Sequence, residues 1–307
     1  MIRKQTVLIL GAGSSAPYGY PLGAGLVDRI LTLITPPSGD LYPILIQDPR
    51  HRIRDFHDHL LKSQTSSIDD FLESNPDYAP LGKQCIAAAL TVWGPTQNHV
   101  VAEGDHWYRY LWERLRQGAP TSEHFKQNNL QIITYNYDRS FERYFAAVLQ
   151  HTYPNLAKAG VEAAEQLRAQ VLPAIHLHGS LGGAGDRAFE VPDRPTQNRL
   201  DFYEQAAAGI RILHEDKPTN EYATAQAWLH EAEAICFLGF GFHPTNIRRL
   251  AVVDQIRGRS GVFVGGTALG LEEAEVVRAE SLLGVGGPRF LRSENALMYL
   301  RRYAPLE

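Results

Sequence analysis

The sequence predicts an α/β fold: a Rossmann-like parallel sheet with helices on both faces, carrying an inserted, mainly helical small domain. Three observations carry this. Short apolar runs recur that are continuous rather than alternating, as in strands covered on both faces. Each is followed by a polar or glycine-rich turn and then by apolar residues at helical spacing. The first run ends in Gly11-Ala12-Gly13, the kind of small-residue turn at which open α/β sheets receive phosphate groups.

In chain order, Thr6 to Leu10 is the first strand, and Leu22, Leu26, Val27, Ile30 and Leu31 form the apolar stripe of the helix behind it. The interval from Pro36 to Asn129 is too long for one crossover and is broken at Thr35-Pro36-Pro37 and Asn75-Pro76. Residues 36–128 therefore read as a helical insertion into a domain built from 1–35 and 129–307. Leu130 to Thr134 is the second strand, backed by Phe141, Tyr144, Phe145 and Val148 on its helix. Val171 to Leu177 is the third, and the glycines from Gly179 to Gly185 predict a mobile loop able to cover a ligand. Ala234 to Leu238 is the fourth strand, followed by a helix over 246–256 that turns Ile247, Leu250, Val253 and Ile256 to one side. Gly261 to Val264 completes a minimum of five strands.

A hydrophobic fraction of 44%, a charged fraction of 21% and the lack of any apolar run of membrane-spanning length predict a folded cytoplasmic protein with no membrane partner. Met1 to Gln5 runs directly into the first strand, unlike a signal peptide. A net charge of -4 gives no general reason to expect nucleic acid, and no direct nucleic-acid motif is present. The only cysteines, Cys85 and Cys236, are far apart in sequence, which excludes a disulfide framework and a four-cysteine zinc module; both read as buried thiols.

Candidate site residues gather at the predicted strand ends. Gly11, Ala12, Gly13, Ser14 and Ser15 let backbone amides approach a pyrophosphate, with Ala16 where the third glycine of G-x-G-x-x-G would stand. A tight turn without a ligand explains the same residues. Tyr20 and Pro21 lie in a Tyr18 to Gly23 loop suited to wrap a nicotinamide ring. Thr134, Asn136 and Asp138 fall at the carboxyl end of the second strand, where such sheets bind ligands. Local sequence favours a helix cap for Asp138. His176 and His178 share one face while the strand stays regular. No acidic or cysteine partner at suitable spacing completes a metal site, so no metal is expected. His178, at the glycine hinge, reads as catalytic and His176, one step deeper, as structural. His51 and His57-Asp58-His59 lie in a charged segment that reads as an exposed helix.

Together, Gly11-Ala12-Gly13-Ser14-Ser15, Thr134-Tyr135-Asn136-Tyr137-Asp138 and His176-Leu177-His178-Gly179-Ser180 resemble, in order and spacing, the motifs of the sirtuin (SIR2) family. Leu238-Gly239-Phe240-Gly241-Phe242-His243-Pro244-Thr245-Asn246 looks like the late nucleotide-binding loop of bacterial SIR2-like proteins. The resemblance implies NAD+ as substrate, with Gly11, Ala12, Gly13 and Ser14 at its phosphates and Asn136 and Asp138 at the nicotinamide ribose and carboxamide. It implies His178 acting at the ribose and Gly239, Gly241 and Asn246 toward the adenosine. Two departures matter: the zinc module of deacetylating sirtuins cannot form, and Tyr135 stands where Gln is usual. They shift the resemblance toward the SIR2-like NAD+ hydrolases of bacterial antiviral defence. For those the resemblance implies release of nicotinamide and ADP-ribose, homo-oligomerisation, and activation by an ATPase or helicase, an Argonaute-type protein or a phage component. An NAD-dependent protein deacylase and a catalytically silent NAD or ADP-ribose sensor are the alternatives.

Overall fold

Six stretches of extended backbone pair into one sheet: β1 (Thr6–Leu10), β2 (Leu130–Thr134), β3 (Ala174–His176), β4 (Ala234–Leu238), β5 (Phe263–Thr267) and β6 (Leu291–Arg292). The computed structural model describes residues 1–46, 52–92, 106–182, 199–212, 220–284 and 291–307. All strand pairs are parallel and the order is β3-β2-β1-β4-β5-β6, the doubly wound arrangement that reverses direction between β1 and β4. Register makes this reversal a site. Leu10 lies opposite both Thr134 and Leu238, so three strands end level, and Gly11, Tyr135 and Gly239 leave the sheet from one edge.

Between β1 and β2 run α1 (Ala12–Ser15), α2 (Gly23–Ile34), α3 (Tyr42–Leu45), α4 (Ile53–Ser63), α5 (Ile68–Ser74), α6 (Ala79–Val92), α7 (Trp107–Arg116) and α8 (Ser122–Phe125). α9 (Ser140–Thr152), α10 (Pro154–Ala159) and α11 (Val161–Val171) lead to β3, and α12 (Arg199–Ala207) and α13 (Asn220–Glu231) to β4. α14 (Pro244–Leu250), α15 (Val252–Ile256), α16 (Glu273–Leu282) and α17 (Ala296–Arg302) follow. The two-residue period of the strands divides the interior. Leu8, Leu10, Ile132 and Leu238 face one core with Ile30 of α2 and Phe145 of α9. Val7, Ile9, Ile133 and Phe237 face the other, with Leu229 of α13, Leu250 of α14 and Val276 of α16. Phe56, Phe71, Ile86 and Trp107, from the helical segment, join the first core.

Three elements depart from the sequence expectation. β3 starts at Ala174, because Val171 and Leu172 close α11, whose final turn bonds Leu172 N–H to the Arg168 carbonyl at 2.7 Å. An apolar run alone does not distinguish a buried helix end from a strand. β5 extends to Thr267 through Gly265 and Gly266, which are not breakers: added Cβ atoms would meet the Tyr299 hydroxyl at 2.3 Å and the Phe237 Cβ at 2.7 Å. The helix expected over 246–256 is two helices, broken at Ala251 with φ 51°, so that Val252 is buried in place of Val253.

Cys85 and Cys236 are both free and buried, and burial pushes the Cys236 thiol up to about 12. Asp58 and His59 are exposed on α4 and His57 is partly so; His51 lies outside the described residues, as do Gly183 to Gly185 of the expected covering loop. Among the described residues no helix is long and apolar enough to cross a membrane.

Candidate active site

The loops leaving β1 and β4 approach too closely to admit side chains between them. Gly11 N–H donates to the Leu238 carbonyl at 3.0 Å and Gly13 N–H to the Gly239 carbonyl at 2.9 Å. A Cβ on Gly11 would sit 2.6 Å from the Gly239 oxygen, and one on Gly239, at φ +59°, would sit 2.1 Å from the Ser14 nitrogen. The glycines are therefore demanded by loop contact, independently of any ligand. The same contact occupies amides: Ser14 N–H donates to the Gly11 carbonyl at 2.9 Å. Gly11, Ala12 and Ser15 line the adjoining cleft, whereas Gly13, Ser14 and Gly239 stand behind it.

Asn136, buried at the end of β2, ties this loop to the next. Its Nδ2 donates to the Gly11 carbonyl at 3.1 Å and the Ser15 hydroxyl at 2.9 Å, while its own N–H donates to Thr134 Oγ1 at 3.0 Å. Thr134 thus shapes the turn from the strand rather than lining the cleft. From the far side Trp107 Nε1 donates to the Ser14 carbonyl at 2.8 Å, so α7 props the first loop.

Asp138 does two things. Its Oδ1 accepts the Ser140 N–H at 3.0 Å and the Ser140 hydroxyl at 2.5 Å, the cap-like bonding its local sequence favours, and its side chain also lines the cleft. Burial raises its pKa, against the lowering effect of the bonds from Ser140 and Ser15.

The two histidines part company because β3 stops at His176 and the chain turns. His176 Nδ1 bonds to the Asn136 carbonyl oxygen at 2.8 Å and Nε2 to Glu142 Oε1 at 2.7 Å, beneath the cleft. Burial alone would raise Glu142 and lower His176. The attraction between them reverses both: Glu142 is held down at about 2 and His176 is raised. His178 lines the cleft, 7% exposed, edge-on to Tyr135 with ring centroids 5.0 Å apart. Its Nε2 is buried without a hydrogen-bond partner. Burial, then the Arg249 charge, push it down to about 4 against the favourable pull of the Asn246 side chain. His178 is accordingly a neutral imidazole at physiological pH, not the group titrating near neutrality that a general base of ordinary pKa would be.

The cleft encloses about 200 Å³. Tyr20 and Pro21 form part of its wall, as do Gly241 and Asn246 from the loop after β4. The Tyr135 hydroxyl donates to the Asn246 carbonyl at 3.0 Å, which anchors that loop at the position where the resemblance would place Gln. Phe242 in the same loop has φ 52°, rare for an aromatic residue, a conformation that persists where packing imposes it; its ring is buried against Phe237 and Phe240.

The cleft is also lined by Asp69 and His243, which are not among the candidate site residues read from the sequence. Asp69, from α5 in the helical segment, accepts a short hydrogen bond from the Tyr137 hydroxyl, and burial raises it to about 6. His243 also lines the cleft, with Nε2 4.0 Å from Asp70 Oδ1. Asp69 follows Ser67, whose hydroxyl accepts the Asp70 N–H at 3.2 Å as an N-cap, so its sequence signature is that of an ordinary acidic first turn. Among the described residues no group of three or more His, Cys, Asp or Glu is arranged to hold a metal ion.

Comparison with protein-family models and with curated protein sequences finds no match to this chain.

Proposed function

We propose that the cleft binds NAD+ and hydrolyses its bond to nicotinamide, releasing nicotinamide and ADP-ribose. The observation that carries this reading is the gathering of Asn136, Asp138 and His178 in one cleft at the switch point of a doubly wound sheet, where such folds bind dinucleotides. The motif resemblance supplies the identity of the ligand.

Departure of nicotinamide leaves positive charge on the ribose, so the site has more need of oriented polar groups than of a strong nucleophile. Asp138 lies in a buried wall that raises its pKa, while the bonds from Ser140 and Ser15 favour its charged form; as a carboxylate it would act on that developing cation with little screening. Asn136 commits its side-chain Nδ2 to the first loop, which leaves its side-chain Oδ1 as the acceptor for a water or ribose hydroxyl. His178 presents an unpartnered Nε2, able to accept a hydrogen bond from the attacking water. The water adds to the ribose carbon and its proton passes to solvent, so that NAD+ and water give nicotinamide, ADP-ribose and a proton. The role proposed for this chemistry is NAD+ depletion in defence, in a homo-oligomer or with an activating partner, as the resemblance implies.

The test is incubation of the purified chain with NAD+, alone and with an acylated peptide, and separation of the products. Free nicotinamide with ADP-ribose in the absence of peptide is the expected result. Nicotinamide formed only with the peptide would make the protein a deacylase, and intact NAD+ that binds saturably would make it a sensor. His178→Ala and Asn136→Ala are each expected to lower turnover at least about 100-fold with an unchanged far-ultraviolet circular dichroism spectrum. Full activity in both variants overturns the assignment of the site.

A further inference from the structure

The charges of the cleft are unevenly distributed. Asp69 and Asp138 both line it, and among the described residues no lysine or arginine does; Arg143 acts electrostatically on Tyr20, and Arg249 on Tyr135 and His178. A dinucleotide brings two phosphate charges into this acidic surround, which by itself disfavours binding. NAD+ differs from NADH and from ADP-ribose in bearing a positive pyridinium ring.

The placement of Asp69 matches that difference. Its carboxylate accepts the Tyr137 hydroxyl, and the Tyr137 ring lies 6.2 Å from the His178 ring, centroid to centroid. Asp69 is therefore one aromatic ring removed from the histidine that faces the ribose. His178 itself supplies the independent sign of a ligand here: it is more than nine-tenths buried, lines the cleft and has an unpartnered Nε2. Asp69 comes from α5, outside the three motifs that carry the family resemblance.

We propose that Asp69, held by Tyr137, selects the positive charge of the oxidised nicotinamide ring, so that the cleft takes NAD+ in preference to NADH and to its own product ADP-ribose. This rests on the NAD+ reading of the cleft. A carboxylate within a few ångströms of a pyridinium in a poorly hydrated wall attracts it, and the attraction ends when nicotinamide leaves. The remaining ADP-ribose then faces the carboxylates of Asp69 and Asp138 without the ring that offset them, which favours its release.

The experiment is calorimetric titration of the full chain at pH 7.5 with a non-hydrolysable carbocyclic analogue of NAD+, with NADH and with ADP-ribose, repeated on Asp69→Asn. The wild type is expected to bind the analogue about tenfold more tightly than NADH or ADP-ribose. Asp69→Asn keeps an acceptor for the Tyr137 hydroxyl and is expected to bring the three affinities within about twofold, chiefly by weakening the analogue. If Asp69→Asn does not fold, Tyr137→Phe, which releases the carboxylate from its anchor, is expected to reduce the preference about threefold. Equal affinities in the wild type, or a preference unchanged in the folded variant, overturns charge selection while leaving the NAD+ reading intact. Failure of all three ligands to bind the wild type removes the NAD+ reading and this inference together.

Discussion

The buried charges around the cleft are of two kinds, and pH separates them. Glu142 and His176 stabilise each other: the Glu142 part is present above about pH 5 and is lost as pH falls toward its folded value near 2, and the His176 part is present below about pH 6 and is lost as pH rises through its elevated folded value. Glu142→Gln leaves a buried imidazole facing an amide, and is expected to cost about 3 kcal/mol at pH 6, measured by urea unfolding, with a smaller cost at pH 9. Asp69 has the opposite sign. Its carboxyl is raised from 3.8 to about 6, so its charge costs nothing in acid and most above pH 7. Asp69→Asn is expected to raise stability by about 1 kcal/mol at pH 7.5, with the gain absent below about pH 4, as read from thermal midpoints. The group that weakens the fold at neutral pH is also the one the ligand-charge argument assigns to binding. Because His178 titrates near 4, loss of turnover between pH 7 and 5 is expected to follow Asp69 rather than His178.

At the scale of elements, the site depends on two loops locked together rather than on either alone. Gly239 carries the contact: alanine there would adopt a left-handed conformation and overlap the Ser14 backbone. Gly239→Ala is expected to destabilise the fold by about 3 kcal/mol and to abolish nucleotide binding, whereas Gly241→Ala, whose Cβ meets nothing within 4 Å, should leave stability within about 0.5 kcal/mol. Paired urea titrations distinguish the two. α7 supports the same contact through the Trp107 bond to the Ser14 carbonyl, and Trp107→Phe is expected to cost about 1 to 2 kcal/mol. This division was partly legible in sequence. A run of small residues after a buried strand announces a close backbone approach, but whether the approaching group is a phosphate or another loop is decided by where β4 ends, and Gly239 lies far from Gly11 along the chain.

At the scale of the molecule, the helical segment and the sheet share an apolar core, as the clustering of Phe56, Phe71 and Trp107 with Leu8 and Ile132 demonstrates. Unfolding is therefore expected as one transition, with coincident urea curves from circular dichroism and tryptophan fluorescence; separate transitions would show that the helices hold together on their own. The sequence by itself determined the parallel α/β class, the ranges of β1, β2 and β4 and the placing of Asn136, Asp138 and His178 at strand ends, because strand periodicity, glycine turns and polar strand ends are local properties. Only the tertiary structure decided that β3 begins after the helix of Val171, that Gly265 and Gly266 lie within a strand, and that His176 and His178 enter different surroundings. It also brought Asp69 from a helix of the long segment between β1 and β2 into the wall beside Tyr137. Such placements depend on contacts between residues distant in the chain, and on the water those contacts exclude, neither of which is written in any local pattern.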